Sequence, residues 1–316
     1  MVKIYTQNCN GIGSSVKRLK MLKFLKNKSE KSILLLQETH SCNENRQSWF
    51  NEMHGPKNCF LNHGESNARG VAILFNNVDF TLGEYYSDGN GRLQLLSVKI
   101  DEFAKKILLI NIYAPNSETL QIELLKKLSA ILDDFKDLDQ HHIICGGDFN
   151  LFLDKTLDTH GGLALPKKHA RIELLKICVK HNLIDIFRVR NPNLKKFSYE
   201  KKTPKLYRRL DFFIISGELD NAVTVSDIEI SWGSDHSPVV IGLSGLVENT
   251  KGPSLWKFNS SLCTDLAFNE KMVTNLGEWY NKYEMVTPTT KWDLLKFESK
   301  GLARDYSIKK AKKKKN

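Results

Sequence analysis

Short apolar runs alternate with polar breaks along the first 245 residues. Runs rich in Val, Ile, Leu and Phe fall at Val2–Asn8, Ser32–Gln37, Lys57–Asn62, Gly70–Phe75, Leu93–Ile100 and Lys106–Tyr113. Others fall at His142–Gly147, Arg209–Ser216, Val223–Ile230 and Pro238–Leu243. Bounded by Gly, Asn or Pro, they predict strands. Asp88-Gly89-Asn90-Gly91 predicts a hairpin turn leading into Leu93–Ile100, because Asn-Gly and Asp-Gly tolerate positive φ. Elsewhere the apolar spacing is three to four. It predicts helices through Leu124, Leu128, Ile131, Leu132 and Phe135, with Asn116 or Ser117 as N-cap; through Val16, Leu19, Leu22 and Leu25; and through Ile172, Leu175 and Val179. Roughly ten strands with three or four helices predict an α/β fold, two mixed β-sheets packed face to face with helices outside.

Charge changes the picture at the end of the chain. The 316 residues carry a formal net charge of +11. Residues 251–316 hold 14 Lys and Arg against 7 Asp and Glu. The Gly245–Pro253 stretch predicts a boundary, with one domain at 1–245 and a basic, mostly helical tail at 246–316. The basic excess points to a polyanion, nucleic acid before an anionic membrane surface. The lysines at Lys309–Lys315 suit a solvated terminus or a polyanion-binding or nuclear-targeting patch equally. No apolar run reaches the ~20 residues of a membrane helix, and no signal-peptide core opens the chain. Six cysteines without a C-x-x-C pair argue against a disulfide framework or zinc knuckle and for a reducing compartment.

Candidate chemistry sits where the strands end. Val2–Gln7 runs into Asn8-Cys9-Asn10-Gly11, Ile33–Leu36 into Gln37-Glu38-Thr39-His40, and Ile110–Ile112 into Tyr113-Ala114-Pro115-Asn116. Ile143–Cys145 runs into Gly146-Gly147-Asp148-Phe149-Asn150. Arg209-Leu210-Asp211 and Ser234-Asp235-His236-Ser237 follow. A single strand-end carboxylate is ordinarily a turn former or cap. A set of them, Glu38, Asp148, Asp211 and Asp235, converges only where something offsets like charge, and a hard divalent cation does so. Gly11-x-Gly13 lacks the remaining features of a nucleotide loop and predicts a turn. His141 and His142 are expected to be solvated, and Cys145 to be a buried small apolar residue.

Gln37-Glu38-Thr39-His40, Gly147-Asp148-Phe149-Asn150 and Ser234-Asp235-His236-Ser237, in this order, resemble the endonuclease/exonuclease/phosphatase superfamily over about residues 1–245. With Asn10-Gly11, Asn111-Ile112-Tyr113-Ala114-Pro115-Asn116 and Ser234–Pro238, the chain is similar to the apurinic-endonuclease-like domain of long interspersed, non-long-terminal-repeat retrotransposons. Trp256-Lys257-Phe258-Asn259 and Asp305-Tyr306-Ser307 resemble that lineage's segment between endonuclease and reverse transcriptase. The resemblance implies a four-layered α/β sandwich and a metal-dependent endonuclease that nicks one DNA strand to prime reverse transcription. It also implies Mg²⁺ or Mn²⁺ as cofactor and a nuclear site of action.

Phosphodiester hydrolysis needs an activated water and stabilised phosphoryl charge. Asp148 suits the base, and Asn150, on an extended segment facing the same way, suits orientation of water or phosphate. Glu38, with Asp235 and Asn10, is the candidate metal set. The resemblance implies that His236 donates to a phosphoryl oxygen while Asp211 holds its other nitrogen, and that Tyr113 serves as a phenolic donor. A core-closing aromatic is the plain alternative for Tyr113.

Tyr199–Arg209 interleaves five basic residues with two tyrosines. A solvated hairpin is one account. A DNA-facing hairpin is favoured, with Lys201, Lys202, Lys205, Arg208 and Arg209 on phosphates or in a minor groove. Ser198-Tyr199 and Arg208 depart from the lineage's frequent Thr-Trp and Ser, which bears on target preference. The expected partners are double-stranded DNA and an element RNA or reverse transcriptase, with no membrane and a monomeric state. No Tyr/Phe-x-Asp-Asp polymerase motif is present, so a fragment of a longer element protein is expected. The competing functions are a superfamily phosphatase or phosphodiesterase acting on phosphoinositide, lipid or RNA, and a non-catalytic nucleic-acid-binding element fragment.

Overall fold

Most of the apolar runs become strands that bury both faces. In the computed structural model, described for residues 1–26, 31–41, 58–64, 67–163, 165–244 and 258–313, the first strands are β1 (Val2–Asn8), β2 (Ser32–Gln37), β3 (Cys59–Asn62) and β4 (Val71–Asn76). Next come β5 (Thr81–Ser87), β6 (Leu93–Lys99), β7 (Lys106–Tyr113), β8 (His141–Asp148), β9 (Thr159–His160) and β10 (Leu183–Asp185). The last are β11 (Tyr199–Lys201), β12 (Leu206–Arg208), β13 (Asp211–Ser216), β14 (Val223–Ile228) and β15 (Val239–Leu243). The helices are α1 (Ser15–Lys26), α2 (Glu118–Asp134), α3 (Lys168–Lys180), α4 (Ile186–Arg190), α5 (Leu266–Lys282) and α6 (Pro288–Lys313).

Among the described residues, one six-stranded sheet runs β14-β15-β1-β2-β4-β3 and a second runs β10-β13-β8-β7-β6-β5. Each holds one parallel pair, β1 with β2 and β7 with β8; every other pairing in them is antiparallel. Side-chain alternation explains the packing. Ile33 and Leu35 of β2 enter the core between the sheets, which Ile4, Ile73, Leu109, Ile144 and Phe213 share. Leu34 and Leu36, one residue out of phase, pack outward with Met21 of α1. The predicted α/β sandwich of two mixed sheets is what the chain forms. Asn111 joins the sheets near one rim: its side chain accepts from Gln37 Nε2 at 2.7 Å and donates to the carbonyls of Leu36 and Ala72.

Several expectations need correction. β5 was not predicted. It is an edge strand with mostly exposed side chains, so no apolar pattern marks it. The helix near Val16 forms, but Val16 and Leu19 are 61% and 56% exposed while Met21 is buried; the side chains of Leu22 and Leu25 lie outside the described residues. His141 and His142 are buried. His141 Nε2 meets Ser97 Oγ at 2.8 Å, and burial followed by nearby Lys105 pushes the His142 pKa down to about 4. Ser117 occupies the N-cap of α2 without a side-chain bond. The predicted boundary at Gly245–Pro253, Lys57, Trp256, Lys257, Lys314 and Lys315 lie outside the described residues.

The chain forms two compact units, Met1–Glu173 with Leu183–Glu248, and Leu174–Asn182 with Asn249–Asn316. In the second, Asp265 caps α5 by accepting from the Phe268 amide at 3.1 Å and also accepts from Tyr306 and Lys310 of α6. Leu175, Tyr283, Leu294 and Leu295 form an apolar cluster there.

Candidate active site

Both parallel pairs end at one rim of the sandwich, where ligand sites of open α/β sheets gather. Asn8 closes β1 in register with Gln37 of β2, and Tyr113 closes β7 in register with Asp148 of β8. Asp211 opens β13 directly opposite Asp148. The sheet registers thus set the spacing of the polar groups before any side-chain bond forms.

Asn8 links the two sheets' contributions. Its Nδ2 donates to Glu38 Oε1 at 3.0 Å and to Asp148 Oδ2 at 2.9 Å. Glu38, in the left-handed region at φ 49°, also accepts from the Tyr113 hydroxyl and lies 3.4 Å from His40 Nε2. Burial alone would raise its pKa, but the bonds from His40, Tyr113 and Asn8 prevail and bring it to about 2. The carboxylate is therefore ionised at neutral pH. Burial and then the Glu38 bond and charge push the Tyr113 phenol upward, keeping its proton. Asn10, at φ 47°, donates from its amide to Asn8 Oδ1 at 2.9 Å and from Nδ2 to Asp235 Oδ1 at 3.0 Å. Gly11 follows at φ 74° beneath the His40 ring; an added Cβ would stand 2.6 Å from His40 Nδ1.

Asp148, Asp211 and His236 are buried and offer atoms that lie within 4.8 Å of one another. His236 Nδ1 meets Asp211 Oδ2 at 2.7 Å. Burial disfavours the imidazolium, but the charges of Asp211 and Asp148 outweigh it and raise the His236 pKa. A protonated imidazole is a poor metal ligand, so the trio is better suited to moving protons than to holding an ion. Burial, then the neighbouring Asp211 charge, raises Asp148 to about 7. Ser198 Oγ accepts from the amides of Leu210 and Asp211 at 3.0 and 2.9 Å, and the Tyr199 ring lies 4.9 Å from that of His236.

Asn150 is not extended, as its spacing from Asp148 suggests, but left-handed at φ 49°. The β8 ladder has ended, and its amide folds back onto Asp148 Oδ1 at 2.9 Å while Nδ2 donates to the Ala114 carbonyl at 2.8 Å. Two donors hold its own carbonyl: Gln121 Nε2 at 3.0 Å and Lys167 Nζ at 2.6 Å. Gln121 Nε2 also reaches the carbonyls of Pro115 and Phe149. Arg92 grips Tyr113 from both sides. Its carbonyl accepts the Tyr113 amide at 2.7 Å, its Nη1 donates to the Tyr113 carbonyl at 3.3 Å, and its guanidinium lies 5.0 Å from the ring centroid.

Of the sequence-predicted residues, the structure joins Glu38, Tyr113, Asp148, Asn150, Asp211 and His236 at this rim, with the Asn10–Asp235 pair attached through Asn8. The basic residues divide. Lys201, Lys202 and Lys205 are exposed on the β11–β12 hairpin. Arg209 is 1% exposed, bonded to Asp158 through Nε at 2.7 Å and to Asp185 through Nη2 at 2.6 Å. Its role as a DNA contact is therefore corrected: all its charge is spent inside. Arg208 is likewise buried, with Nη1 shared by the carbonyls of His160, Gly161 and Tyr207, which makes it a brace of the hairpin instead of a phosphate contact. Arg92 and Gln121 escape sequence reasoning, while Asn8 and Ser198 stand in the quoted motifs without a role. For Asn8 the signal is a buried amide ending an otherwise apolar strand; Gln121 shows only as a polar residue on the apolar face of α2.

A family model described as endonuclease-reverse transcriptase matches residues 107–240. Over 313 residues the chain is 29% identical to a Xenopus laevis protein described as transposon TX1 uncharacterized 149 kDa protein. That match covers 97% of this chain and 23% of the relative, so the chain spans about a quarter of the relative's length. An AP endonuclease from Archaeoglobus fulgidus shares the fold with TM-score 0.60 and 23% identity, over 77% of this chain and 99% of that one. The Xenopus laevis APE2 catalytic domain does so with TM-score 0.60 and 20% identity, over 78% and 94%.

Proposed function

We infer that this chain, an endonuclease domain of the endonuclease/exonuclease/phosphatase superfamily of the kind found in retrotransposon proteins, hydrolyses one strand of duplex DNA. The observation that carries this reading is the bond from Asn8 that ties ionised Glu38 to Asp148 beside the Asp211–His236 pair. In-line attack needs a base poised near neutral pH and a positive donor facing the phosphoryl oxygens. Asp148 takes the proton of the attacking water as the new P–O bond forms. His236, held by Asp211, donates to a phosphoryl oxygen, and Tyr113 adds its phenol. The P–O3′ bond breaks, the departing O3′ takes a proton from solvent, and a 3′-hydroxyl beside a 5′-phosphate is left for priming.

The donor chemistry fits a hard divalent cation. Glu38 is an ionised oxygen donor at the rim, and the Asn10–Asp235 pair, linked to it through Asn8, adds side-chain oxygens. These three would hold Mg²⁺ or Mn²⁺, which supplies Lewis-acid stabilisation of phosphoryl charge when bound. Lys201, Lys202 and Lys205 would meet the DNA backbone. The endonuclease domain is assigned to 1–245. The tail at 246–316 leads towards a reverse transcriptase, a proposal supported by the relative's much greater length; element RNA is a further partner and the nucleus the site of action.

The test is nicking of supercoiled plasmid by the purified chain, in Mg²⁺ or EDTA, beside Asp148→Ala. Metal-dependent conversion to open circle that the variant lacks is expected. No conversion by folded protein overturns the reading, and phosphoinositide and RNA substrates then decide between a phosphatase-type activity and an inactive binding fragment.

A further inference from the structure

The segment between β9 and α3 leaves two leucines in water. Leu163 is 84% exposed and Leu165 is 73% exposed. One exposed leucine needs no explanation. Here, however, two stand on one short segment that is pinned at both ends to the candidate active site. At its start, Arg208 Nη1 donates to the carbonyls of His160 and Gly161 at 3.0 and 2.9 Å. Gly161, at φ 69°, lies so close to the hairpin turn that an added Cβ would stand 2.7 Å from the Lys205 carbonyl. At its end, Lys167 donates to the carbonyl of Asn150. The described residues on the two sides of Ala164 are therefore tied to the lysine-bearing hairpin at one end and to the residue that folds onto Asp148 at the other.

Its surroundings say what the leucines meet. Lys167 and Lys168 follow them, and Lys201, Lys202 and Lys205 stand on the hairpin at the other anchor. This cationic setting disfavours an apolar protein partner and favours a polyanion that also has apolar surface to offer, which the endonuclease reading makes nucleic acid in preference to an anionic lipid surface. Duplex DNA is such a partner. Phosphates lie outside, and base edges and stacked faces lie within the minor groove, where apolar wedges such as Leu enter and unstack a base step.

We propose that Leu163 and Leu165 form a wedge that enters the minor groove of bound DNA and unstacks a base step near the scissile phosphate. The proposal rests on the endonuclease reading. The wedge makes the cost of unstacking part of target choice, so it acts on where the chain cuts as well as on how fast.

The test compares the double variant L163S/L165S with L163M/L165M, which keeps apolar side chains. Both sites are exposed, so unchanged melting is expected. Binding is followed with duplexes carrying 2-aminopurine beside the mapped nick, with every chain also carrying Asp148→Ala to prevent cleavage. Nicking is followed with the otherwise native chain on the duplex and on a single strand of the same sequence. Unstacking fluorescence should appear with leucine or methionine and vanish with serine. Duplex nicking by the serine variant should fall about tenfold or move, while single-strand cutting is retained. Equal fluorescence and an identical nick map overturn the wedge while leaving the endonuclease intact. If the native chain nicks nothing, the endonuclease reading itself fails, and the wedge with it.

Discussion

His236 Nδ1 and Asp211 Oδ2 stand 2.7 Å apart in a buried environment, and Asp148 faces Asp211 across the adjoining strand. In the proposed reaction the two aspartates and one imidazole divide the work of acid and base by environment. The aspartates' negative charge raises the His236 pKa, while burial and Asp211 raise Asp148 to about 7. Nicking should therefore fall as pH drops through about 7, where Asp148 takes a proton, and persist above the ordinary histidine range. Asp211→Asn removes the charge that holds the His236 proton. Its alkaline limb should move to lower pH while the acid limb also moves down. A pH–rate profile with an unshifted alkaline limb refutes the pairing.

The same raised pKa makes Asp148 a liability for folding. An acid whose folded pKa exceeds its unfolded value binds a proton more tightly when folded. Stability therefore falls as pH rises from near the ordinary 3.8 to about 7. Asp148→Asn should lower nicking by about 10²–10⁴-fold. Its melting temperature relative to the native chain should also rise between pH 4 and pH 8. Parallel melting curves across that range would show that burial does not penalise the carboxylate.

Arg209 and the hairpin lysines, neighbours in sequence, should respond oppositely. Arg209→Met takes the buried charge partner from Asp185 and leaves Asp158 with Arg188 alone; it should cost about 3–5 kcal/mol in urea unfolding, while the salt dependence of DNA binding stays the same. Replacing Lys201, Lys202 and Lys205 with alanine should leave unfolding unchanged and reduce the slope of log affinity against log salt by about 2–3. Reversal of the two outcomes would return Arg209 to the DNA surface.

Those residues also show what a sequence can and cannot display. A strand buried on both faces, such as β2, announces itself as an apolar run, and the polar residues where it stops are visible as a break. β5, half in solvent and paired on one side, has no such contrast. The charge of Arg209 is plain in the sequence, but its partners lie 51 and 24 residues away, so only the fold shows that the charge is already neutralised. Asn8 and Asn10 look equivalent two residues apart. The ladder ends at the first, which places Asn8 between the carboxylates and Asn10 out beside Asp235.

Gln121 supplies the last prediction. It is fully buried, and its single Nε2 reaches carbonyls on both sides of the site: Pro115 after Tyr113, and Phe149 and Asn150 after Asp148. It touches none of the reacting groups, so it acts as a positioning residue by fixing the Tyr113 segment against the Asp148 segment. Gln121→Glu keeps the shape but replaces the donor with an oxygen facing three carbonyls. Turnover at saturating DNA should fall about 10–100-fold, the scale for residues that orient a reactive group through another, with little change in KM. Lys167→Met removes the second donor to the Asn150 carbonyl and should weaken turnover by itself. Because both donors serve one carbonyl, the double variant should lose less than the product of the single losses. A purely structural Gln121 would instead lower the melting temperature and leave turnover per folded molecule unchanged, and its effects would multiply with those of Lys167→Met.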